Sequence, residues 1–120
     1  MAHTAEAFVV SCMDLRFQAY IENWAHEHIG EGKYDRVAWA GGIKDLQNIL
    51  GQLDISVRLH RTKTAIFINH EDCGAYGQTG TPEQHRTDLL AAKQTALEKF
   101  PNLTVDLYYL HLDGAFEKIA

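Results

Sequence analysis

Residues 66–74, with the sequence IFINHEDCG, carry the pattern from which the fold and the site of this chain are predicted. The apolar run 66–68 is typical of a buried strand, and it leads into His70 and, three residues later, Cys73. An earlier apolar run, residues 8–10, leads in the same way into Cys12. Two buried strands that each end at a soft metal ligand predict the two halves of one zinc site.

Size and composition indicate an ordinary globular protein. A chain of 120 residues suits one domain, predicted to span residues 1–120, and the 46% hydrophobic and 22% charged content is typical of a globular chain. The net charge of −5 argues against nucleic acid or an anionic membrane as a partner, since both require a basic surface. No apolar run is long enough for a membrane span, and the first residues lack a signal-peptide pattern, so a cytoplasmic location is expected.

Hydrophobic periodicity divides the chain into alternating strands and helices. Short apolar runs without helical period predict strands, whereas apolar residues spaced three and four apart predict amphipathic helices. By this criterion, the predicted strands are residues 7–12, 35–40, 64–69 and 103–110. The predicted helices are residues 17–29, 44–59 and 81–100, and residues 113–120 are predicted to be a tail.

Apolar spacing also predicts which residues of each helix are buried. The buried set of the first helix is Phe17, Tyr20, Ile21, Trp24 and Ile29, and that of the third is Leu89, Leu90, Ala96, Leu97 and Phe100. The third helix begins with Thr81 as a cap and Pro82 in the first turn, and Gln84 is placed to reach back as in a capping box.

The alternation of strands and helices predicts an α/β fold: a small parallel sheet of about four strands with helices on both faces. Ligands of such sheets bind at the carboxyl ends of strands, where the winding reverses. Cys12, Gly41 and His70 all lie at such ends, and Cys12 meets His70 if the first and third strands are neighbours.

Thiolate, imidazole and thiolate form the ligand set of a tetrahedral zinc site with one position left open, and an open position permits catalysis. Zinc is favoured over iron or copper for mixed sulfur and nitrogen ligands. Asp14 and Arg16 follow Cys12 closely, so Asp14 is either a fourth ligand or a carboxylate held off the metal by Arg16. A surface ion pair, a Cys12–Cys73 disulfide and two inert buried thiols are the simpler alternatives.

The motifs CMDLR at residues 12–16 and HEDCG at residues 70–74, with AGG at residues 40–42 between them, resemble those of the β-class carbonic anhydrases. The resemblance covers nearly the whole chain and implies the fold of that family. It implies zinc binding by Cys12, His70 and Cys73, with Asp14 and Arg16 as the catalytic dyad. The implied reaction is the reversible hydration of carbon dioxide to bicarbonate by a zinc-bound hydroxide.

Three glycines are predicted to contact the substrate. The resemblance implies that the Gly74 backbone N–H donates to bicarbonate. Gly41 and Gly42 follow the second strand, where a backbone without side chains can approach a ligand closely.

The chain departs from the family pattern at several positions. Ala38 and Trp39 stand where family members usually carry Arg-Asn, and His3 stands where many carry a glutamine that reaches the substrate. The amino-terminal helical arm of the family has no counterpart, and the region after Cys73 is short. Trp39 is interpreted as a core residue, with a pocket-shaping role as the alternative.

Two other functions compete with carbonic anhydrase activity. One is a related zinc hydrolase acting on carbonyl sulfide or carbon disulfide, and the other is a non-catalytic zinc-stabilised binding domain in which Asp14 closes the metal site. A thiol redox role is disfavoured because no Cys-x-x-Cys motif is present.

Self-association, as a homodimer or higher homo-oligomer with the site near the interface, is expected from the small core and the exposed sheet edges. The histidines outside the motif are interpreted as solvated or capping residues.

Overall fold

The computed structural model describes residues 3–120 and consists of one mixed sheet flanked by three helices. In chain order the strands are β1 (Ala7–Ser11), β2 (Tyr34–Ala38), β3 (Thr64–His70), β4 (Thr104–Leu110) and β5 (Phe116–Lys118). The helices are α1 (Gln18–His28), α2 (Leu46–His60) and α3 (Pro82–Lys99). Short 3-10 turns at Gly42–Asp45 and Gly77–Thr79 precede α2 and α3.

The order of strands across the sheet is β2-β1-β3-β4-β5. The first four are parallel, and β5 pairs antiparallel with β4. Because the chain leaves β1 to one side for β2 and then crosses to the other side for β3, the winding reverses between β1 and β3. This reversal confirms the predicted α/β architecture and places the carboxyl ends of β1 and β3 side by side.

Alternating residues of the central strands face two apolar layers. Phe8 and Phe67 pack on the face covered by α2 and α3, whereas Val9 and Ile68 pack on the face covered by α1. Both layers are buried, and this explains why these strands appear in the sequence as continuous apolar runs rather than as alternating patterns.

The predicted tail contains the fifth strand. Gly114, at φ +90°, lies in a turn after β4, and residues 116–118 then return alongside β4. Phe116 stacks on Trp24 of α1 with ring centroids 4.8 Å apart, so this strand is held by an aromatic contact from a distant helix. Three residues are too few to show a period of two, and the prediction of about four strands is one strand short for that reason.

Several predictions about the helices are wrong in detail. Tyr20 and Leu90 are about two-fifths exposed although apolar spacing placed them in the core, while His85 of α3 is fully buried rather than solvated. Thr81 does cap α3 by accepting the Gln84 backbone N–H, but the Gln84 side chain donates to Asp88 and forms no capping box.

Candidate metal centre

The side chains of Cys12, His70 and Cys73 converge at the carboxyl ends of β1 and β3. Cys12 directly follows β1, His70 is the last residue of β3, and Cys73 lies in the loop after it. Their potential ligand atoms lie within 4.8 Å of one another, and all three residues are buried. The two sulfurs are 3.9 Å apart and both cysteines are free, so the disulfide alternative does not describe this structure.

The imidazole of His70 is oriented as a metal-binding histidine requires. Its Nδ1 lies 2.7 Å from the Glu71 carbonyl oxygen, to which it donates, so the lone pair is on Nε2. Nε2 is buried, yet it has no hydrogen-bond partner among residues 3–120. The Phe17 ring packs against the imidazole at a centroid distance of 4.2 Å and fixes its plane. An unpaired buried acceptor beside two thiols fits a divalent metal ion that prefers nitrogen and sulfur.

Backbone N–H groups surround the two thiols. The Gly41 N–H donates to Cys12 Sγ at 3.3 Å, from a residue whose φ of +77° favours glycine. Burial raises the pKa of the Cys73 thiol, and the N–H of Ala75 opposes this rise. Hydrogen bonds from backbone N–H groups stabilise thiolates, which are the form that binds metals.

Of the three glycines predicted to contact the substrate, only Gly74 is exposed. Apart from Gly74 and its two chain neighbours, no heavy atom of residues 3–120 lies within 4 Å of the position that a Gly74 Cβ would take, so the space beside it is open. Gly41 already donates its N–H to Cys12. Gly42 packs directly on the backbone of residues 11–12, where a Cβ would lie 3.3 Å from the Cys12 nitrogen. Substrate contact by Gly41 and Gly42 therefore stays a prediction.

Arg16 holds the Asp14 carboxylate through both oxygens. Its Nε donates to Oδ1 at 3.1 Å and its Nη2 to Oδ2 at 2.7 Å, while the Arg16 backbone N–H donates to Oδ1 at 2.9 Å. The hydrogen bonds from Arg16 lower the pKa of Asp14 to about 2, so the carboxylate is ionised at neutral pH. Within residues 3–120, Asp14 is not part of the group that could hold the metal.

Arg16 also contacts Asp72, a residue that the sequence reasoning did not single out. Nη1 of Arg16 lies 3.0 Å from Asp72 Oδ2, and Nη2 donates to the Asp72 carbonyl at 2.9 Å. Asp72 has a φ of +58°, a conformation that aspartate tolerates better than most residues. Arg16 thus ties the loop of Cys12 to the loop of Cys73.

A polar network of Asn69, Tyr76, His85 and Asp88 lies next to the metal site. Tyr76 packs against both cysteines, and its hydroxyl donates to Asp88 at 2.9 Å. The amide of Asn69, the residue before His70, donates to Tyr76 Oη at 3.2 Å and to His85 Nδ1 at 2.9 Å. This network lies at the end of β3, and no spacing pattern in the sequence links these residues.

The residues that depart from the β-class pattern lie in different places. Trp39 is 36% exposed, and its indole N–H donates to Asp45 at 3.0 Å, so its assignment to the core is wrong. His3 lies against His60 with ring centroids 4.8 Å apart. These two histidines precede β1 and β3, so His3 lies at the amino ends of the strands, whereas Cys12 lies at their carboxyl ends.

Comparison with known proteins gives one family and one fold. A profile of the family described as "Putative carbonic anhydrase" matches residues 2–120. An uncharacterized protein of Rickettsia conorii is 29% identical over 96% of this chain and 72% of that protein. Among residues 3–120, no helix is long and apolar enough to cross a membrane.

Two solved structures share the fold. The carbonic anhydrase of Streptococcus mutans superposes with a TM-score of 0.67 at 19% identity, covering 99% of this chain and 84% of that one. The β-carbonic anhydrase isoform I of Trichomonas vaginalis gives a TM-score of 0.62 at 19% identity, covering 98% and 84%. At these identities the similarity establishes the β-carbonic-anhydrase-like fold.

Proposed function

The chain belongs to the family described as "Putative carbonic anhydrase", and from this membership we propose that it is a zinc-dependent carbonic anhydrase that hydrates carbon dioxide reversibly to bicarbonate. Cys12, His70 and Cys73 would hold the zinc ion. The observation that carries the proposal is the unpaired, buried Nε2 of His70 beside two thiols, with Asp14 held away by Arg16.

Three protein ligands leave one coordination position open, and zinc in such a site supplies Lewis acidity that lets water ionise near neutral pH. Arg16 keeps the Asp14 carboxylate ionised, so Asp14 would accept a hydrogen bond from the water that attacks carbon dioxide and would orient a lone pair of that water toward the substrate carbon. Gly74 is exposed, and its backbone N–H would donate to an oxygen of bicarbonate.

Metal content and hydration rate test the proposal. The purified protein should contain about one zinc ion per chain. Stopped-flow carbon dioxide hydration should fall by about 100-fold or more in Asp14→Asn, because the charged carboxylate that accepts the hydrogen bond from the attacking water is lost. Asp54→Asn, which changes an exposed carboxylate paired with Arg58 on α2, is the matched control and should retain the wild-type rate. Full zinc content without hydration at any pH would refute the lyase proposal and leave the metal site.

A closed, structural zinc site is the competing proposal from another functional class. It requires Asp14 as a fourth ligand, whereas Arg16 donates to both carboxylate oxygens and so competes with the metal for them. If the site were structural, removing the metal with a chelator would unfold the protein cooperatively. An open site predicts that chelation abolishes hydration before secondary structure is lost, as followed by circular dichroism.

Carbonyl sulfide and carbon disulfide are the competing substrates. A narrow apolar pocket near Trp39 would favour them, but Trp39 is turned outward to Asp45. Measuring carbon dioxide, carbonyl sulfide and carbon disulfide side by side with one zinc-loaded preparation decides between them, and we expect carbon dioxide to be turned over fastest.

We propose further that the protein forms a homodimer or higher homo-oligomer. Met13 and Leu15 flank Asp14 and are 60% and 87% exposed, an apolar surface beside the metal centre that a second copy would cover. Sedimentation equilibrium of the wild type and of Leu15→Glu tests this. A monomer in both samples would contradict it.

A further inference from the structure

Two polar side chains converge on the backbone that carries Cys12 and Asp14. The Gln18 amide nitrogen donates to the carbonyl oxygens of Cys12 and Asp14, at 3.0 and 2.7 Å. The Ser11 hydroxyl donates to the Cys12 carbonyl at 2.9 Å. These contacts fix the two peptide groups that determine where the Cys12 thiol and the Asp14 carboxylate are directed.

A single guanidinium group holds Gln18 and Ser11 in place. Nη2 of Arg36, on β2, donates to Ser11 Oγ at 2.7 Å and to Gln18 Oε1 at 2.8 Å. Nη1 of the same group donates to the Val37 carbonyl. Because the amide oxygen of Gln18 points to Arg36, its amide nitrogen must point to the Cys12–Asp14 backbone.

Arg36 is not held by an ion pair. It is half-buried, and no carboxylate lies within 4.0 Å of it among residues 3–120. Burial of a guanidinium without a carboxylate partner costs free energy, which hydrogen bonds to neutral acceptors only partly offset. Two of the residues that accept hydrogen bonds from Arg36, Ser11 and Gln18, themselves donate hydrogen bonds to the backbone carbonyl of Cys12.

We propose that Arg36 is a positioning residue: through Gln18 and Ser11 it fixes the backbone of residues 12–14, and so sets the geometry of the Cys12 thiol and the Asp14 carboxylate relative to His70 and Cys73. The part concerning hydration rests on the proposed function, whereas the part concerning metal geometry does not. Mutating groups that hydrogen-bond to metal ligands typically lowers metal affinity or activity by about 10- to 100-fold. Ser11 and Gln18 bond to the backbone of Cys12 in this way, and Arg36 acts through them.

Two variants separate this role from simple packing. Arg36→Met keeps the length of the side chain and removes its donors. Gln18→Glu keeps an acceptor for Arg36 but removes the N–H groups that reach the Cys12 and Asp14 carbonyls. If Arg36 only packed against its neighbours, Gln18→Glu would leave the metal site unchanged. If Arg36 positions the site, Gln18→Glu should have the same effects on the metal site as Arg36→Met. Arg58→Met, which removes an exposed guanidinium paired with Asp54, is the matched control.

The test uses the full chain loaded with cobalt in place of zinc, together with zinc affinity measured by competition with a chelator. We expect Arg36→Met and Gln18→Glu to shift the cobalt ligand-field spectrum, to weaken zinc binding by about 10-fold or more, and to lower kcat with little change in KM. Arg58→Met should match the wild type in each.

An unchanged cobalt spectrum and zinc affinity in Gln18→Glu would overturn the inference, even if Arg36→Met failed to fold. If the wild type binds zinc but hydrates no carbon dioxide, the proposed function fails, while the spectrum and the affinity still decide the role of Arg36.

Discussion

Acidification should destabilise the protein through His85, which lies in α3 with no exposed surface. Its Nδ1 accepts from the Asn69 amide at 2.9 Å, and its Nε2 has no hydrogen-bond partner among residues 3–120. Burial is the main cause that lowers the pKa of His85 to about 4, and the electrostatic effect of neighbouring His70 lowers it further. Protonation would also put an N–H against the donating amide of Asn69.

The sign of the effect follows from which state binds the proton. Between pH 6.5, the usual pKa of histidine, and about 4, the unfolded chain takes up a proton at His85 that the folded chain does not. Stability from this group is therefore complete above pH 6.5 and is lost as the pH falls toward 4. With these two pKa values, the free energy of unfolding should drop by about 2 kcal/mol between pH 7.5 and pH 5.

Urea unfolding of wild type and His85→Gln at both pH values measures this contribution, with the metal removed and the thiols reduced. Gln can still accept from Asn69 and does not titrate. All other groups titrate alike in the two proteins, so the wild type should lose about 2 kcal/mol more than His85→Gln on going to pH 5. An equal loss in both proteins would refute the assignment of a neutral, buried imidazole.

Two pairs of substitutions test the packing around the site and in the core. Gly42→Ala places a Cβ 3.3 Å from the Cys12 nitrogen at a φ of +54°. This variant should lose about 1–3 kcal/mol of unfolding free energy in urea and should bind zinc more weakly. Gly51→Ala, in open space on α2, should instead gain about 0.5–1 kcal/mol. Equal effects of the two glycine variants would contradict the close approach of Gly42 to Cys12. Leu53→Ala, at a fully buried position, should cost about 2–5 kcal/mol, and Leu59→Ala, 60% exposed, about 0.5 kcal/mol or less. Equal stability of the Leu53→Ala and Leu59→Ala proteins would contradict the burial of Leu53 in the core.

The convergence of Cys12 with His70 was predictable because it follows from two short patterns. Apolar runs predict strands, and parallel strands have their carboxyl ends on the same side of the sheet, so the ends of β1 and β3 meet if these two strands are neighbours. The structure shows that they are neighbours. The Asp14–Arg16 pair was predictable as a contact because the two residues lie two positions apart on one loop.

Contacts between distant segments were not predictable in the same way. Asp72 meets Arg16 only because Asp72 adopts a positive φ, and Arg36 reaches Gln18 only through the register that pairs Val9 of β1 with Arg36. Neither conformation nor register is encoded in a local spacing. His85 is buried beside the Asn69 amide, which donates to its Nδ1, and apolar periodicity does not detect such a contact.

The distance between the Asp14 carboxylate and the metal decides whether the zinc site is open or closed. In a crystal structure of the zinc-loaded protein near neutral pH, Arg16 should still hold both Asp14 oxygens, and a ligand from outside the protein should occupy the fourth position on the zinc. An Asp14 oxygen at about 2.0–2.2 Å from the zinc would contradict the account, since the site would then be closed by four protein ligands.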